Sequence, residues 1–138
     1  MAYLLDTNVL SEVIKKRPEP AVVARLREIG PGSLFTSVVC ITELRYGARR
    51  RPGAEALWER IAREVLSRVR ILPLGEREAL RAGDLLADIE AAGQPIGIED
   101  ILIGATALEA SLTVATRNVR HFRRIRGLAV ESWWREVP

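Results

Sequence analysis

The stretch YLLDTNVL, residues 3–10, joins an apolar run to a polar turn, and this pattern recurs along the chain. A continuous apolar run is typical of a strand that is buried on both faces of a sheet, so we predict a strand over residues 2–5. The run stops at Asp6. Taken alone, Asp6 is interpreted as the N-cap of a helix predicted over residues 7–16, because its carboxylate can accept free backbone N–H groups.

Short apolar stretches alternate with longer helical periods through the rest of the chain. We predict strands at residues 2–5, 34–36, 69–74, 112–115 and 128–131. Between them we predict helices at residues 7–16, 21–29, 38–50, 54–68, 76–92 and 98–111, and a helical turn at residues 121–125. Such alternation predicts an α/β fold, a three-layer α/β/α arrangement with a short central parallel sheet. We see no repeat, and expect one domain over residues 1–138.

The composition is that of an ordinary globular protein, with 48% hydrophobic and 28% charged residues. The single cysteine, Cys40, excludes an intrachain disulfide. No basic segment precedes the first apolar stretch, and no apolar stretch is long enough to span a bilayer. We therefore expect a soluble, cytoplasmic protein without a membrane partner. The net charge is +3, and only two of the 21 cationic side chains are lysines.

Four polar residues are expected at one edge of the predicted sheet. Asp6 and Asn118 follow predicted strands, whereas Glu43 and Asp100 lie in the first turns of predicted helices. Because ligands bind at the carboxyl ends of parallel strands, these side chains can meet in one cleft. Carboxylates that lie so close raise one another's pKa, and a divalent cation removes that penalty. Hard oxygen ligands favour Mg²⁺ or Mn²⁺ over Zn²⁺.

Each acid also has an ordinary structural interpretation. Glu43 can form a salt bridge with Arg45 or Arg49 on the same predicted helix. Asp100 can stabilise the start of its helix by complementing the helix dipole. The functional hypothesis therefore depends on the combination of the acids and not on any one of them.

Four stretches resemble PIN domains, most closely the VapC-type toxins of bacterial type II toxin–antitoxin systems. They are LDTNVL at 5–10, the stretch from TSV to EL at 36–44, DILIGATA at 100–107 and TRN at 116–118. The resemblance runs in order from about residue 3 to Trp133. It implies an Mg²⁺- or Mn²⁺-dependent endoribonuclease that hydrolyses RNA phosphodiesters with metal-activated water and is held inactive by a small antitoxin.

The resemblance also assigns roles to individual residues. It implies that Asp6, Glu43 and Asp100 are metal ligands. It implies a further catalytic role for Asn118, an amide at a position where relatives often carry a fourth acid. It also implies three supporting residues. Ser37 and Thr116 place hydroxyls near the metal, and the amide of Asn8 holds the Asp6 turn. His121 is interpreted as a surface residue and not as a base.

Two groups of arginines flank the same predicted edge and are candidates for contacts with RNA phosphates, namely Arg45, Arg49, Arg117 and Arg120. The alternative is that they are solvated helix ends. The resemblance further implies a cognate antitoxin partner, a homodimer, and a toxin–antitoxin hetero-oligomer that binds operator DNA through the antitoxin. The apolar stripe of Leu57, Trp58, Ile61 and Val65 either packs in the core or forms a groove or dimer surface.

Two other functions fit parts of the sequence. Residues 6–9, DTNV, resemble the Asp-x-Asp start of phosphatases that form an aspartyl phosphate, but the second acid is Asn8 and no lysine follows Lys16. A catalytically inactive module with the same fold could instead act only through an antitoxin or DNA. The RNA target and the number of bound cations stay open at this point.

Overall fold

The computed structural model describes residues 1–135, in which five short strands form one parallel sheet. The strands are β1 (Tyr3–Leu5), β2 (Leu34–Ser37), β3 (Arg70–Leu72), β4 (Thr113–Ala115) and β5 (Val130–Glu131). Their order is β3-β2-β1-β4-β5, and every neighbouring pair is parallel. The central place of β1 explains why all three of its residues are buried.

Seven helices connect these strands in the described part of the chain. They are α1 (Thr7–Glu12), α2 (Pro20–Glu28), α3 (Val38–Arg49), α4 (Ala54–Glu64), α5 (Glu76–Ala91), α6 (Ile98–Glu109) and α7 (Val119–Phe122). Helices α1–α4 lead from β1 to β3, and α5–α7 lead back across the sheet to β5. Right-handed crossovers in opposite directions cover opposite faces of the sheet, so the predicted three-layer α/β/α fold is confirmed.

Helix α6 is the most buried helix, as its apolar sequence predicts. Ile101, Ile103 and Ala105 are fully buried on it. A Cβ atom at Gly104 would lie 2.5 Å from Ile125 Cδ1, so glycine allows α6 to approach the segment after α7 closely. This packing holds the first turn of α6, and with it Asp100, at one end of the sheet.

Two helices, α1 and α4, end four residues earlier than predicted. Helix α1 stops at Glu12, and the chain turns there, with Lys15 N donating to the Glu12 carbonyl at 3.2 Å. The Glu12 carboxylate holds this turn by accepting hydrogen bonds from Lys15 Nζ at 2.9 Å and from the Glu19 backbone N–H at 3.0 Å. Helix α4 stops at Glu64. A 3₁₀ turn, Leu66–Arg68, follows, and there the Ser67 hydroxyl donates to the Arg63 carbonyl at 2.6 Å.

The final elements are also shorter than predicted. Strand β5 contains only Val130–Glu131, because these are the residues that pair with β4. The predicted turn at 121–125 begins earlier, as helix α7 at Val119. Beyond β5, Trp133 is 5% exposed and packs edge-on against Tyr3 with ring centroids 5.4 Å apart, so its ring points inward. Among the residues described, no helix is long and apolar enough to cross a membrane.

The register aligns the ends of the strands that carry the predicted site. Leu5 pairs with Ala115, and Ala115 pairs with Glu131. The backbone continues this alignment, because Asp6 N donates to Ala115 O and Thr116 N donates to Glu131 O, both at 3.0 Å. The residues that leave β1 and β4 therefore start side by side.

Candidate active site

The Asp6 carboxylate lies at the end of β1, 5% exposed, and accepts three hydrogen bonds. Its Oδ1 accepts the Thr7 backbone N–H at 2.8 Å, which caps α1 as predicted. Its Oδ2 accepts the Thr116 hydroxyl at 2.8 Å and the Asn8 amide at 3.0 Å. These donors fix the orientation of the carboxylate.

Asn8 links the turn after β1 to the turn after β4. Its Nδ2 donates to Asp6, and its Oδ1 accepts the backbone N–H of Arg117 at 3.0 Å. Thr116 joins the same network, because its Oγ1 also accepts the Asn118 backbone N–H at 2.9 Å. These contacts suit a residue that holds the Asp6 turn, and that role for Asn8 stays a prediction.

Glu43 reaches the same place from α3. Its Oε1 accepts the Thr7 hydroxyl at 2.6 Å, so α1 and α3 are tied across the site. Asp6, Glu43 and the buried Cys40 each offer one ligand atom, and these three atoms lie within 4.8 Å of one another. Sequence reasoning missed Thr7 and Cys40. The spacing of Cys40 and Glu43 along one helix was the signal that could have identified the thiol.

Asp100 enters from the first turn of α6 and is contacted by α7 residues. Its Oδ2 lies 3.3 Å from Asn118 Nδ2 and 3.0 Å from His121 Nδ1, and Asn118 Nδ2 lies 2.8 Å from the same imidazole nitrogen. The His121 side chain is 41% exposed, as expected for a surface residue. The sequence analysis nevertheless missed its contact with a candidate metal ligand.

One cavity of about 410 Å³ contains all four predicted catalytic residues. We call it the acidic cavity; its lining includes Asp6, Glu43, Asp100, Asn118, Asn8 and Glu12. Arg117, Lys15 and Trp134 add to the wall, and the Arg117 guanidinium lies 5.4 Å from the Trp134 ring centroid. Lys15 is largely exposed, and its Nζ forms a salt bridge with Glu12 Oε1 at 2.9 Å.

Burial raises the pKa of Asp6 to about 6, and the nearby carboxylates of Asp100 and Glu43 add to the rise. The hydrogen bonds from Thr116 and the Thr7 backbone act in the opposite direction without cancelling it. Burial is also the main cause that raises the pKa of the Cys40 thiol, with the charge of Asp6 as a second cause. A buried carboxylate whose charged form is disfavoured, with two further carboxylates beside it, is a donor set that fits a divalent cation.

Ser37 is buried, and its side chain acts at the start of α3. Its Oγ accepts the Cys40 backbone N–H at 3.2 Å and donates to Cys40 Sγ at 3.3 Å. The hydroxyl thus positions the helix that carries Glu43 and does not line the acidic cavity. A supporting role for Ser37 stays a prediction.

The predicted RNA-binding arginines lie in different environments. Arg117 lines the acidic cavity, and Arg120 is exposed on α7. Arg45 stacks over the Trp58 ring, 4.9 Å from its centroid. Arg49 Nη1 lies 4.0 Å from Glu55 Oε1. Contact with RNA stays a prediction for all four.

A second cavity of about 910 Å³ adjoins the first and shares Ser11, Lys15 and Glu43 with it. We call it the basic groove, because its cationic side chains are Lys15, Lys16, Arg50, Arg51 and Arg60. Leu57 and Ile61 of the predicted apolar stripe line it as well. The four residues predicted to bind RNA do not include any of these cations.

The class of protein follows from the parallel α/β fold and from the acidic residues that meet at the carboxyl edge of its sheet. The family model described as "PIN domain" matches residues 3–128, so this chain belongs to the PIN domain family. Ribonuclease VapC2 of Haemophilus influenzae is 32% identical over 133 residues, covering 96% of this chain and 98% of the relative. The tRNA(fMet)-specific endonuclease VapC of Shigella flexneri is 30% identical over 133 residues, with the same coverage.

Solved structures agree with this assignment. VapBC2 from Rickettsia felis, bound to a DNA fragment from its promoter, contains a chain that superposes with a TM-score of 0.87 at 28% sequence identity. The match covers 96% of this chain and 99% of that chain. The fold resemblance is therefore to VapC-type members of the family over their full length.

Proposed function

We propose that this chain is a divalent-cation-dependent endoribonuclease and the toxin of a toxin–antitoxin pair. The observation that carries the proposal is the meeting of Asp6, Glu43 and Asp100 in one cavity, with a raised pKa at the buried Asp6. A buried carboxylate whose charged form is disfavoured, with two further carboxylates beside it, is suited to binding a cation, which neutralises it.

Asp6, Glu43 and Asp100 would hold Mg²⁺ or Mn²⁺ through carboxylate oxygens. The cation supplies a more acidic water and positive charge for the phosphodiester. The protein contributes the fixed positions of the oxygens. Thr116 and the Thr7 backbone orient Asp6, and the Thr7 hydroxyl orients Glu43.

RNA is the substrate that the relatives favour, since those from Haemophilus and Shigella are named as a ribonuclease and a tRNA(fMet)-specific endonuclease. In this chain, Arg117 lines the acidic cavity and can bind a phosphate beside the carboxylates. Initiator tRNA is therefore the first substrate to test.

The proposed partner is a small antitoxin that covers the acidic cavity and keeps the enzyme inactive. The Rickettsia neighbour, a VapBC2 complex on promoter DNA, supports a hetero-oligomer of this kind. For this chain we propose that the antitoxin, and not the toxin, contacts operator DNA. A homodimer stays a prediction.

The test is cleavage of 5′-labelled initiator tRNA and total RNA by the purified chain with Mg²⁺, with Mn²⁺ and with EDTA. We expect cleavage with either ion, products with 5′-phosphate ends, and none with EDTA. Asp6→Asn should lower the rate at least about 10³-fold, the scale of removing a group that acts in the transition state. The control Asp84→Asn removes an exposed acid of α5 and should keep full activity. Cleavage that persists in EDTA, or in Asp6→Asn, would contradict the proposal.

A further inference from the structure

Trp134 is the one apolar side chain among the described residues that line the acidic cavity. The other lining residues carry carboxylates, amides, hydroxyls or cationic groups. The Trp134 ring is half-buried, and its indole nitrogen is closed to solvent. The ring therefore adds carbon surface, and no accessible hydrogen-bond donor, to a wall that is otherwise polar.

The charged neighbour of this ring is Arg117. Its guanidinium lies over the ring, 5.4 Å from the centroid, within the range of a cation–π contact, and the residue is exposed. Four carboxylates line the same cavity, yet Arg117 forms no salt bridge with any described residue. The guanidinium therefore keeps its N–H donors and its outer face for a ligand.

Both members of the pair are anchored through neighbouring contacts. The Arg117 backbone N–H donates to Asn8 Oδ1 at 3.0 Å, and the same Asn8 side chain also donates to Asp6. Trp134 follows Trp133, whose buried ring packs edge-on against another aromatic ring. Because the flat surface is already in place, a ligand that stacks on it orders few further bonds.

A stack of arginine on tryptophan is not in itself a binding site, as a second pair in the chain shows. Arg45 lies over the half-buried ring of Trp58, 4.9 Å from its centroid. Neither residue lines the acidic cavity or the basic groove. The two pairs share their chemistry and differ in their place, so the Trp58 pair is an internal control for the Trp134 pair.

We propose that an unpaired RNA base stacks on the Trp134–Arg117 pair, next to the phosphodiester that the carboxylates address. Proteins recognise single-stranded RNA by stacking bases on aromatic rings and on guanidinium planes. The outer face of the Arg117 guanidinium takes the base, and Trp134 is a positioning residue that holds this face in place. The position beside the cleaved bond rests on the proposed function, whereas the stacking itself does not.

The test compares two ligands that differ only in their bases. One is a fluorescein-labelled RNA decamer of mixed sequence, and the other is the same ribose–phosphate chain without bases. Both are titrated by fluorescence anisotropy against the full chain carrying Asp6→Asn. The ratio of the two affinities reports the bases, because the phosphates are common to both ligands. We expect a ratio of about ten or more, since stacking of one base contributes roughly 5- to 150-fold.

Trp134→Ala and Arg117→Lys, each added to Asp6→Asn, should lower this ratio about five-fold or more. Arg117→Lys keeps the charge but loses the plane, so the slope of log affinity against log salt should not change. Trp134→Phe keeps an aromatic ring under the guanidinium and should retain most of the ratio. A merely structural role of either residue would change both ligands alike and leave the ratio as it is.

Trp58→Ala is the matched control and should keep the ratio of the Asp6→Asn protein. Thermal unfolding checks that each variant is folded. An unchanged ratio in Trp134→Ala or in Arg117→Lys would overturn the proposal, as would an equal fall of the ratio in Trp58→Ala.

The two proposals fail separately. Cleavage of RNA by wild type, and its loss in Asp6→Asn, decide the ribonuclease function whatever the titrations show. The affinity ratio decides the stacking site without any cleavage. Cleavage with a ratio that does not depend on Trp134 would remove the stacking site alone, and a Trp134-dependent ratio without cleavage would remove the ribonuclease function alone.

Discussion

The acidic cavity and the basic groove adjoin and share three residues, but they are built in different ways. The cavity takes Asp6 from the end of β1, and buried donors, among them the Thr116 hydroxyl, hold its carboxylate in place. The cations of the groove come from the turn after α1, from the residues after α3 and from α4, and Lys16 and Arg51 are exposed. One region is held by a network of hydrogen bonds, and the other is lined by long, largely solvated side chains.

This difference separates what each region can do. Interlocked hydrogen bonds between buried groups hold oxygens at fixed positions, as cation binding and bond cleavage require. Exposed cations attract a polyanion over several ångströms, tolerate many sequences and are screened by salt. We therefore expect changes in the cavity to have large, specific effects and changes in the groove to have small, salt-dependent ones.

The largest expected effect is a pH dependence of stability that comes from Asp6. Because its folded pKa of about 6 lies above the ordinary 3.8, the folded protein holds this proton more tightly than the unfolded chain does. Stability from this group is therefore present below pH 4 and is lost as the pH rises through 6. A shift of about two units corresponds to about 3 kcal/mol in the free energy of unfolding.

The measurement is urea unfolding of metal-free wild type and Asp6→Asn at pH 4 and pH 7. Wild type should lose about 2.5 kcal/mol more than the variant over this range, since the unfolded carboxyl is already partly ionised at pH 4 and the other titrating groups are common to both. Saturating Mn²⁺ at pH 7 should restore stability to wild type more than to the variant. The same pH dependence in both proteins would mean that folding does not raise the pKa of Asp6.

The next effect is that of removing the Thr116 hydroxyl. Thr116→Val keeps the shape of the side chain but deletes the donor to Asp6 Oδ2 and the acceptor for the Asn118 N–H. We expect a loss of about 1–3 kcal/mol in stability and a loss of about 10–100-fold in Mn²⁺ affinity, measured by calorimetry.

Thr106→Val is the matched control for that change. Thr106 is equally buried, but its hydroxyl donates to the Leu102 carbonyl within α6. Stability can fall in this variant too. Its Mn²⁺ affinity should stay within about two-fold of wild type, which is well below the 10–100-fold loss expected for Thr116→Val. Equal losses of affinity in both variants would show that Thr116 acts through the fold and not on the carboxylate.

The sequence could predict much of the fold and the acidic cavity for one physical reason. Parallel strands share a carboxyl edge, so residues that follow them, such as Asp6 and Asn118, must lie near one another. Burial of an uninterrupted apolar run made β1 recognisable without any contact being known. The helix boundaries were less predictable. The hydrogen bond from Glu19 N to the Glu12 carboxylate forms in the turn after α1. The period of apolar residues along a helix does not reveal such a turn.

The groove could not be predicted, because which face of a helix end turns toward a cleft depends on tertiary packing. Arg49 and Arg51 are two residues apart, yet Arg51 lines the groove whereas Arg49 lies beside Glu55. The contact between His121 and Asp100 was missed for a similar reason, because it joins α7 to α6 across 21 positions of sequence.

The smallest expected effect distinguishes the sequence-based assignment of these arginines from the structural one. In an Asp6→Asn background, which can bind RNA without cleaving it, Arg51→Ala should weaken binding a few-fold. It should also reduce the slope of log affinity against log salt by about 0.7, the value for one phosphate contact on a single strand. Arg49→Ala should leave the slope unchanged, because Arg49 does not line the groove and its guanidinium lies 4.0 Å from Glu55. Fluorescence anisotropy with a labelled single-stranded RNA at several salt concentrations measures both. If Arg49→Ala lowered the slope and Arg51→Ala did not, RNA would follow the outer face of α3, and the basic groove would have to bind something else.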